Sequence, residues 1–265
     1  MNSSIDLRWA PFLTVLEREI RRFLKVIVQT LLTPMINAVL YLMIFGVSLG
    51  NHIDIGHGVS YLSFLIPGLI MMGCLNNAFQ NSSSSIITAK FGGDLEDFRV
   101  SPLTHAQIVW AMSVGGVIRG LAVGFLTFVT GAVFLRVVEG QWPQIAHPFV
   151  LATFLILGGL AFAKMGIFIA FWARTFDQLS AVTGFLLLPL IYLGGVFFSL
   201  QGLHPWWQKV AVLNPLLYLI NGVRYGFLGV SDVPVEASMG VAVATVLIFH
   251  VLALRSLKTG SFLRW

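Results

Sequence analysis

Along most of this chain apolar residues do not alternate with polar ones. They run on in stretches of about 20 or more, broken by short charged or Gly- and Pro-containing segments. Leu121 to Leu135 and Val241 to Leu254 are apolar on nearly every side. Such runs exclude the alternation of a membrane β-strand and leave the α-helix, which satisfies its own backbone polar groups in hydrocarbon. The breaks predict six spans, at 26–49, 59–83, 106–135, 149–172, 179–200 and 237–256. Region 203–235 differs: Pro205 and the Asn214-Pro215 pair cut it into pieces too short to cross, so it is expected to form short helices that dip into the outer leaflet and return. The predicted fold class is an all-α membrane protein, one transmembrane domain over 1–265.

The segment 6–25 has a different rhythm. Trp9, Phe12, Leu13, Leu16, Ile20, Phe23 and Ile27 recur every three or four residues, with Arg8, Glu17, Arg18, Arg21, Arg22 and Lys25 on the other face. This is a basic amphipathic helix, expected to lie flat on the cytoplasmic leaflet. It can act as a topology anchor or as a lever touching a cytoplasmic partner, with Glu17 and Arg21 on the exposed side.

Composition agrees with the pattern: 57% of residues are hydrophobic and 10% charged, against about 25% charged in soluble domains. The net charge of +5 does not point to nucleic acid, because the cations are distributed by topology rather than gathered on one solvated face. With six spans, one side collects Arg8, Arg18, Arg21, Arg22, Lys25, Lys90, Arg99, Arg174, Arg255, Lys258 and Arg264, and the other only Arg136, Lys209 and Arg224. Eleven cations against three put both termini in the cytoplasm. Tryptophans mark the interfaces independently: Trp9, Trp110, Trp172 and Trp265 on the cytoplasmic side, Trp142, Trp206 and Trp207 on the outer one.

Polar residues inside the spans are the candidates for function. The cytoplasmic half of the second span carries Asn76, Asn77, Gln80, Asn81 and Ser82 to Ser85. Amides are costly against lipid, so they line a pathway, bond between helices, or end the helix in water. In the third span Gly116, Gly120 and Gly124 form a small-residue ridge for close helix contact, with Arg119 beside it. Arg119 and Lys164, the two mid-span cations, can meet an anionic head group, pair internally or snorkel. The carboxylates are all read as lying in or near loops.

Between the second and third spans runs Ala89-Lys-Phe-Gly-Gly-Asp-Leu-Glu-Asp-Phe-Arg-Val-Ser-Pro-Leu103. Gly92-Gly93 is suited to end one helix and Asp94 to cap the next, with Ser101-Pro102 as its stop. A short cytoplasmic helix over 90–102 then presents Leu95 and Phe98 among Asp94, Glu96, Asp97 and Arg99, which suits docking to a separate protein.

Other patterns carry no chemistry. Gly46-Val-Ser-Leu-Gly50 matches the nucleophile-elbow spacing but ends a membrane helix instead of joining a strand to a helix. His52, Asp54 and His57 have no strong metal-ligand spacing, and the single Cys74 falls within an apolar run. No catalytic or metal site is expected. Nor does any stretch read Gly-x-x-x-x-Gly-Lys-Ser/Thr, the loop that cradles nucleotide phosphates. Energy must then come from outside the chain, or the protein is a passive conduit.

Several segments in order resemble the ABC-2 type permeases of bacterial inner membranes: Glu17-Arg-Glu-Ile-Arg-Arg22, Phe64-Leu-Ile-Pro-Gly-Leu-Ile-Met-Met72, Asp94-Leu-Glu-Asp-Phe-Arg-Val-Ser-Pro102, Tyr192-Leu-Gly-Gly-Val-Phe-Phe-Ser199, and Leu213-Asn-Pro-Leu-Leu-Tyr218 with Gly222-Val-Arg-Tyr-Gly-Phe227. The likeness covers essentially the whole chain. It implies a type V exporter-like homodimer of six-helix subunits carrying two copies of a separate ABC ATPase subunit. ATP and Mg would sit on that subunit, with no cofactor in this chain. It also implies that 6–25 is a connecting helix, that Asp94 to Arg99 belong to a coupling helix, and that 203–235 holds the outer re-entrant helices. Family substrates range over polysaccharides, lipid-linked oligosaccharides and hydrophobic drugs.

Overall fold

The computed structural model describes residues 3–50, 58–93 and 100–259. Helix α1 (Ser3–Leu24) is followed by α2 (Ile27–Tyr41), which runs into a π-helical turn (Leu42–Ser48). Next come α3 (Tyr61–Gly92), α4 (His105–Glu139) and α5 (Pro148–Trp172). The next span is broken into α6 (Phe176–Val182), a second π turn (Thr183–Leu187) and α7 (Leu188–Leu193). Two short helices, α8 (Pro205–Val212) and α9 (Pro215–Leu228), precede α10 (Val235–Thr259). Six of these units are long and apolar enough to cross a membrane: Ile27–Ser48, Tyr61–Gly92, His105–Glu139, Pro148–Trp172, Phe176–Leu193 and Val235–Thr259. Among the described residues there is no β-strand.

Local chemistry sets the helix ends. Ser60 accepts a hydrogen bond from the Ser63 amide at 3.1 Å to start α3, and Thr104 with Gln107 forms a capping box at the start of α4. At the far end of α3, Gly93 takes the left-handed conformation at φ 85°, which a side chain would strain. The span expected at 59–83 therefore continues two and a half turns further, through Ser84, Ser85 and Lys90. The fifth crossing unit ends earlier than the expected 200: its chain leaves the helix at Gly194 and Gly195.

The third unit of the chain, α3, is the axis. It packs along α4 and α5, and α5 in turn carries α9 and α10. The glycine ridge of α4 makes this possible. A Cβ at Gly120 would stand 2.6 Å from the Cys74 carbonyl oxygen, and one at Gly116 2.9 Å from Ala163 Cβ and Ser82 Oγ. At Gly124 the nearest atom is 3.6 Å away, an ordinary contact. Two of the three ridge glycines thus set the distance between α3 and α4.

On the other end of the molecule, α9 is laid against α5 by Gly222 and Gly226, where added Cβ atoms would meet the Phe154 ring at 2.3 Å and the Leu151 amide nitrogen at 2.6 Å. Arg224 between them is buried. It donates to the Gly195 carbonyl at 2.6 Å, stands 3.4 Å from the Asp232 carboxylate and lies 3.8 Å over the Phe64 ring. Asp232 also accepts from Ser199 Oγ at 2.7 Å and the Leu200 amide at 3.0 Å. One buried ion pair therefore ties α9, the loop after α7 and the loop before α10. Arg224 is thus an internal tie and not a free topology charge.

Candidate functional site

A cavity of about 790 Å³ opens between α2, α3, α4 and the broken α6–α7 unit. Polar side chains gather on its walls beside apolar ones such as Leu69, Met72 and Leu188. From α3 come Asn76, Asn77, Gln80, Ser83 and Ser84; from α4 come Arg119 and Thr127. Opposite them α2 supplies Gln29, Thr30, Thr33 and Asn37, and the broken unit supplies Ser180 and Thr183. Thr33, Asn37 and Gln80 are exposed in the single chain. On membrane-spanning helices such side chains gain by turning to a wet cavity, because lipid offers them no hydrogen bond. Among the lining residues Arg119 is the only charged one.

Of the residues flagged in the sequence, Asn76, Asn77, Gln80 and Arg119 meet at this cavity, and Asn81 does not. One residue beyond Gln80 on a helix is about 100° further round, and that rotation turns Asn81 into the protein. There its amide Nδ2 donates to Glu19 Oε2 at 3.3 Å. Asn77 is nearly buried, its Nδ2 spent on the Gly73 carbonyl at 3.1 Å. Glu17 and Arg21 form an exposed i, i+4 ion pair at 2.5 Å on α1. Asp94, Leu95, Glu96, Asp97, Phe98 and Arg99 lie outside the described residues, as do His52, Asp54 and His57.

The structure corrects the expectation that every carboxylate lies in or near a loop. Glu19 is fully buried between α1, α3 and α4. It accepts from Ser85 Oγ at 2.6 Å, from Arg22 at 3.2 Å and from Asn81 at 3.3 Å, and Arg18 approaches to 3.4 Å. Gly115 of α4 makes the seat, since a Cβ there would stand 2.7 Å from Glu19 Cβ. Arg22 continues the tie, donating to Ser84 Oγ at 2.9 Å and to the Asn81 carbonyl. Helix α1 is therefore not simply laid on a surface. Phe23 is buried, and Phe12, Leu16 and Ile20 are half-buried against the bundle, with Trp9 and Leu13 left exposed. With its lone pairs filled by cations, a hydroxyl and an amide, Glu19 is a cross-tie.

The remaining mid-span cation, Lys164, is fully buried away from the cavity, its Nζ 3.7 Å from the Trp110 ring centroid. Stacking on an aromatic face is a way to hold a cation inside protein. Lys90, at the end of α3, gives hydrogen bonds to the carbonyls of Ala170, Phe171 and Ala173 at 3.1, 2.8 and 2.8 Å. Those carbonyls end α5, where a helix exposes unpaired acceptors and partial negative charge.

Sequence reasoning overlooked Glu19 and the polar face of α2. Both had a signal. Gln29, Thr33 and Asn37 stand four residues apart, one face of a helix otherwise apolar. Glu19 falls in register with Phe12, Leu16 and Phe23 at four-three-four spacing, which places it on the packing side.

Six helices long and apolar enough to cross a membrane, with a cavity among four of the units, mark a multi-pass membrane protein. A profile of the family described as ABC-2 type transporter matches residues 11–228, and the chain belongs to that family. It is 40% identical over 260 residues to the inner membrane transport permease YadH of Escherichia coli (strain K12), covering 98% of this chain and 99% of the relative. It is 26% identical to Nodulation protein J of Neorhizobium galegae over 231 residues, 84% of this chain and 82% of the relative. Nodulation protein J of Rhizobium leguminosarum bv. viciae is likewise 26% identical, over 223 residues, 84% of this chain and 83% of the relative. The chain is accordingly a multi-pass transport permease of the inner membrane.

Proposed function

We propose that this chain is the membrane-spanning subunit of an ATP-driven exporter and that the cavity between α2, α3, α4 and α6–α7 is its translocation pathway. The observation that carries the reading is the cavity itself: about 790 Å³ of space where polar side chains cluster inside an apolar six-span protein. That size suits an amphiphilic, lipid-linked, saccharide or drug-like substrate. Asn76, Asn77, Gln80 and Arg119 are its contacts; Asn81 supports the wall from behind. The chain carries no phosphate-binding loop, so ATP and Mg belong to a separate ABC ATPase subunit, two copies of which serve a homodimer of this chain. The ATPase docks on Asp94 to Arg99 and on the exposed Glu17 and Arg21 of α1, at the end where both termini lie in the cytoplasm. Closing the ATPase pair then moves rigid helices between two arrangements around the cavity.

Co-purification tests this. The chain should bring down an ABC ATPase from its own host. Asp94→Lys, Glu96→Lys and Asp97→Lys together should weaken that association about tenfold or more, by turning three favourable charges into repulsive ones, with the thermal melt of the permease unchanged. Active transport by the isolated chain, or undiminished association of the triple variant, would defeat the proposal.

A further inference from the structure

The distribution of charge around the cavity says more about the cargo than its size does. A guanidinium in a low-dielectric wall is costly unless something answers its charge. Glu19 answers Arg22, and Asp232 answers Arg224. Arg119 has no carboxylate within ion-pair reach among the described residues, and its buried Nε has no hydrogen-bond partner. The other polar groups of the wall are amides and hydroxyls, which solvate a polar head without adding charge, and they alternate with apolar side chains such as Leu69, Met72 and Leu188.

A second cleft, of about 530 Å³, runs beneath α1 against the end of α3. Arg18, Arg21, Arg22 and Lys25 line it with Thr88 and a single carboxylate, Glu17, which Arg21 already engages. Arg22 belongs to both regions: it lines this cleft and holds Ser84, a wall residue of the cavity. Arg18 and Arg22 are paired with Glu19 and Arg21 with Glu17, so the unanswered charge lies at Arg119.

We propose that the cavity selects amphiphiles bearing an anionic oxygen group, such as a phosphate, and that Arg119 is the residue that reads it. The inference rests on the transport reading above and names the substrate class for the same cavity. A planar guanidinium engages two phosphate oxygens at once, and an uncompensated cation in the wall favours an anion over a cation there. Cationic amphiphiles are repelled by the same field.

The test is equilibrium binding to the full-length chain alone, in nanodiscs of phosphatidylcholine, which carry no net anionic background. The probes are a dye-labelled short-chain phosphatidate and a diacylglycerol with the same chains and dye, with inorganic phosphate as a soluble competitor. The native chain should bind the phosphatidate about tenfold or more tightly than the diacylglycerol. Arg119→Gln should abolish the difference and Arg119→Lys should keep most of it, with all three chains melting together. Equal binding of the two probes by the native chain overturns the inference, whether or not the glutamine variant folds. So does a preference that survives Arg119→Gln. Displacement by inorganic phosphate as effective as by unlabelled phosphatidate overturns it too, since the site would then read a free anion. No ATPase is present in this measurement, so a failure of the ATP-driven reading and a failure of the anion reading are seen separately.

Discussion

The two sides of the cavity are built to different standards. On one side α3, backed by α5, buries 78% of its most apolar window (α5 72%) and α4 buries 33%, whereas the facing α2 unit and α6–α7 unit bury 22% and 17%. The first side is a wall held by glycine contacts, the Glu19 tie and a continuous apolar core. The second is thinly packed, and both π turns described above fall on it, a geometry often found at functional sites. Burial is what resists local opening. The difference therefore divides labour: one half supplies stability, and the other is free to move against it and must be covered by lipid or a second chain.

The largest test of this division is at Glu19. Replacing it with alanine leaves Arg22, Asn81 and Ser85 without their shared acceptor, and should cost about 3 kcal/mol of stability, read as a lowered melting temperature of the detergent-solubilised chain. No shift would mean that α1 is not tied to the wall. Next comes the ridge. Gly120→Ala forces a carbon against the Cys74 carbonyl and should cost about 1–3 kcal/mol, while Gly124→Ala should stay within about 0.5 kcal/mol; equal costs would show that the ridge does not set the helix distance. The smallest stability effect belongs to the thin side. Asn37→Leu should move the melt by less than about 0.5 kcal/mol yet change the stimulation of ATP hydrolysis by substrate in the assembled transporter. A large loss of stability there would erase the contrast between the two sides.

Much of the wall was legible in the sequence because its signals are local. A run of apolar residues gives a span directly, and glycines four apart give a ridge, so α3, α4 and the ridge follow from spacing, while only packing separates Gly116 and Gly120 from Gly124. The polar cluster Asn76, Asn77 and Gln80 was visible as an anomaly within a span. Its partner face on α2 was not, because Gln29, Thr33 and Asn37 are diluted by apolar neighbours and matter only when α3 is brought opposite. Glu19 was hidden for a related reason. In a list of charges it reads as one more member of a basic amphipathic helix, and only packing against Gly115 and Ser85 turns it inward. Asn81 erred the other way, since composition groups it with Gln80 while one residue of helical rotation separates them.

Lys90 has a consequence for how force is shared. Its ammonium is riveted to three carbonyls at the end of α5 while its own backbone belongs to the last turns of α3. Two helices that are separated by more than fifty residues of chain are thereby welded at one end. A displacement reaching the end of α3 is therefore expected to pass to α5, along which α3 also packs, and from α5 to the α9 that rests on it. Lys90 adds a polar rivet to that apolar contact, close to where α3 stops at Gly93.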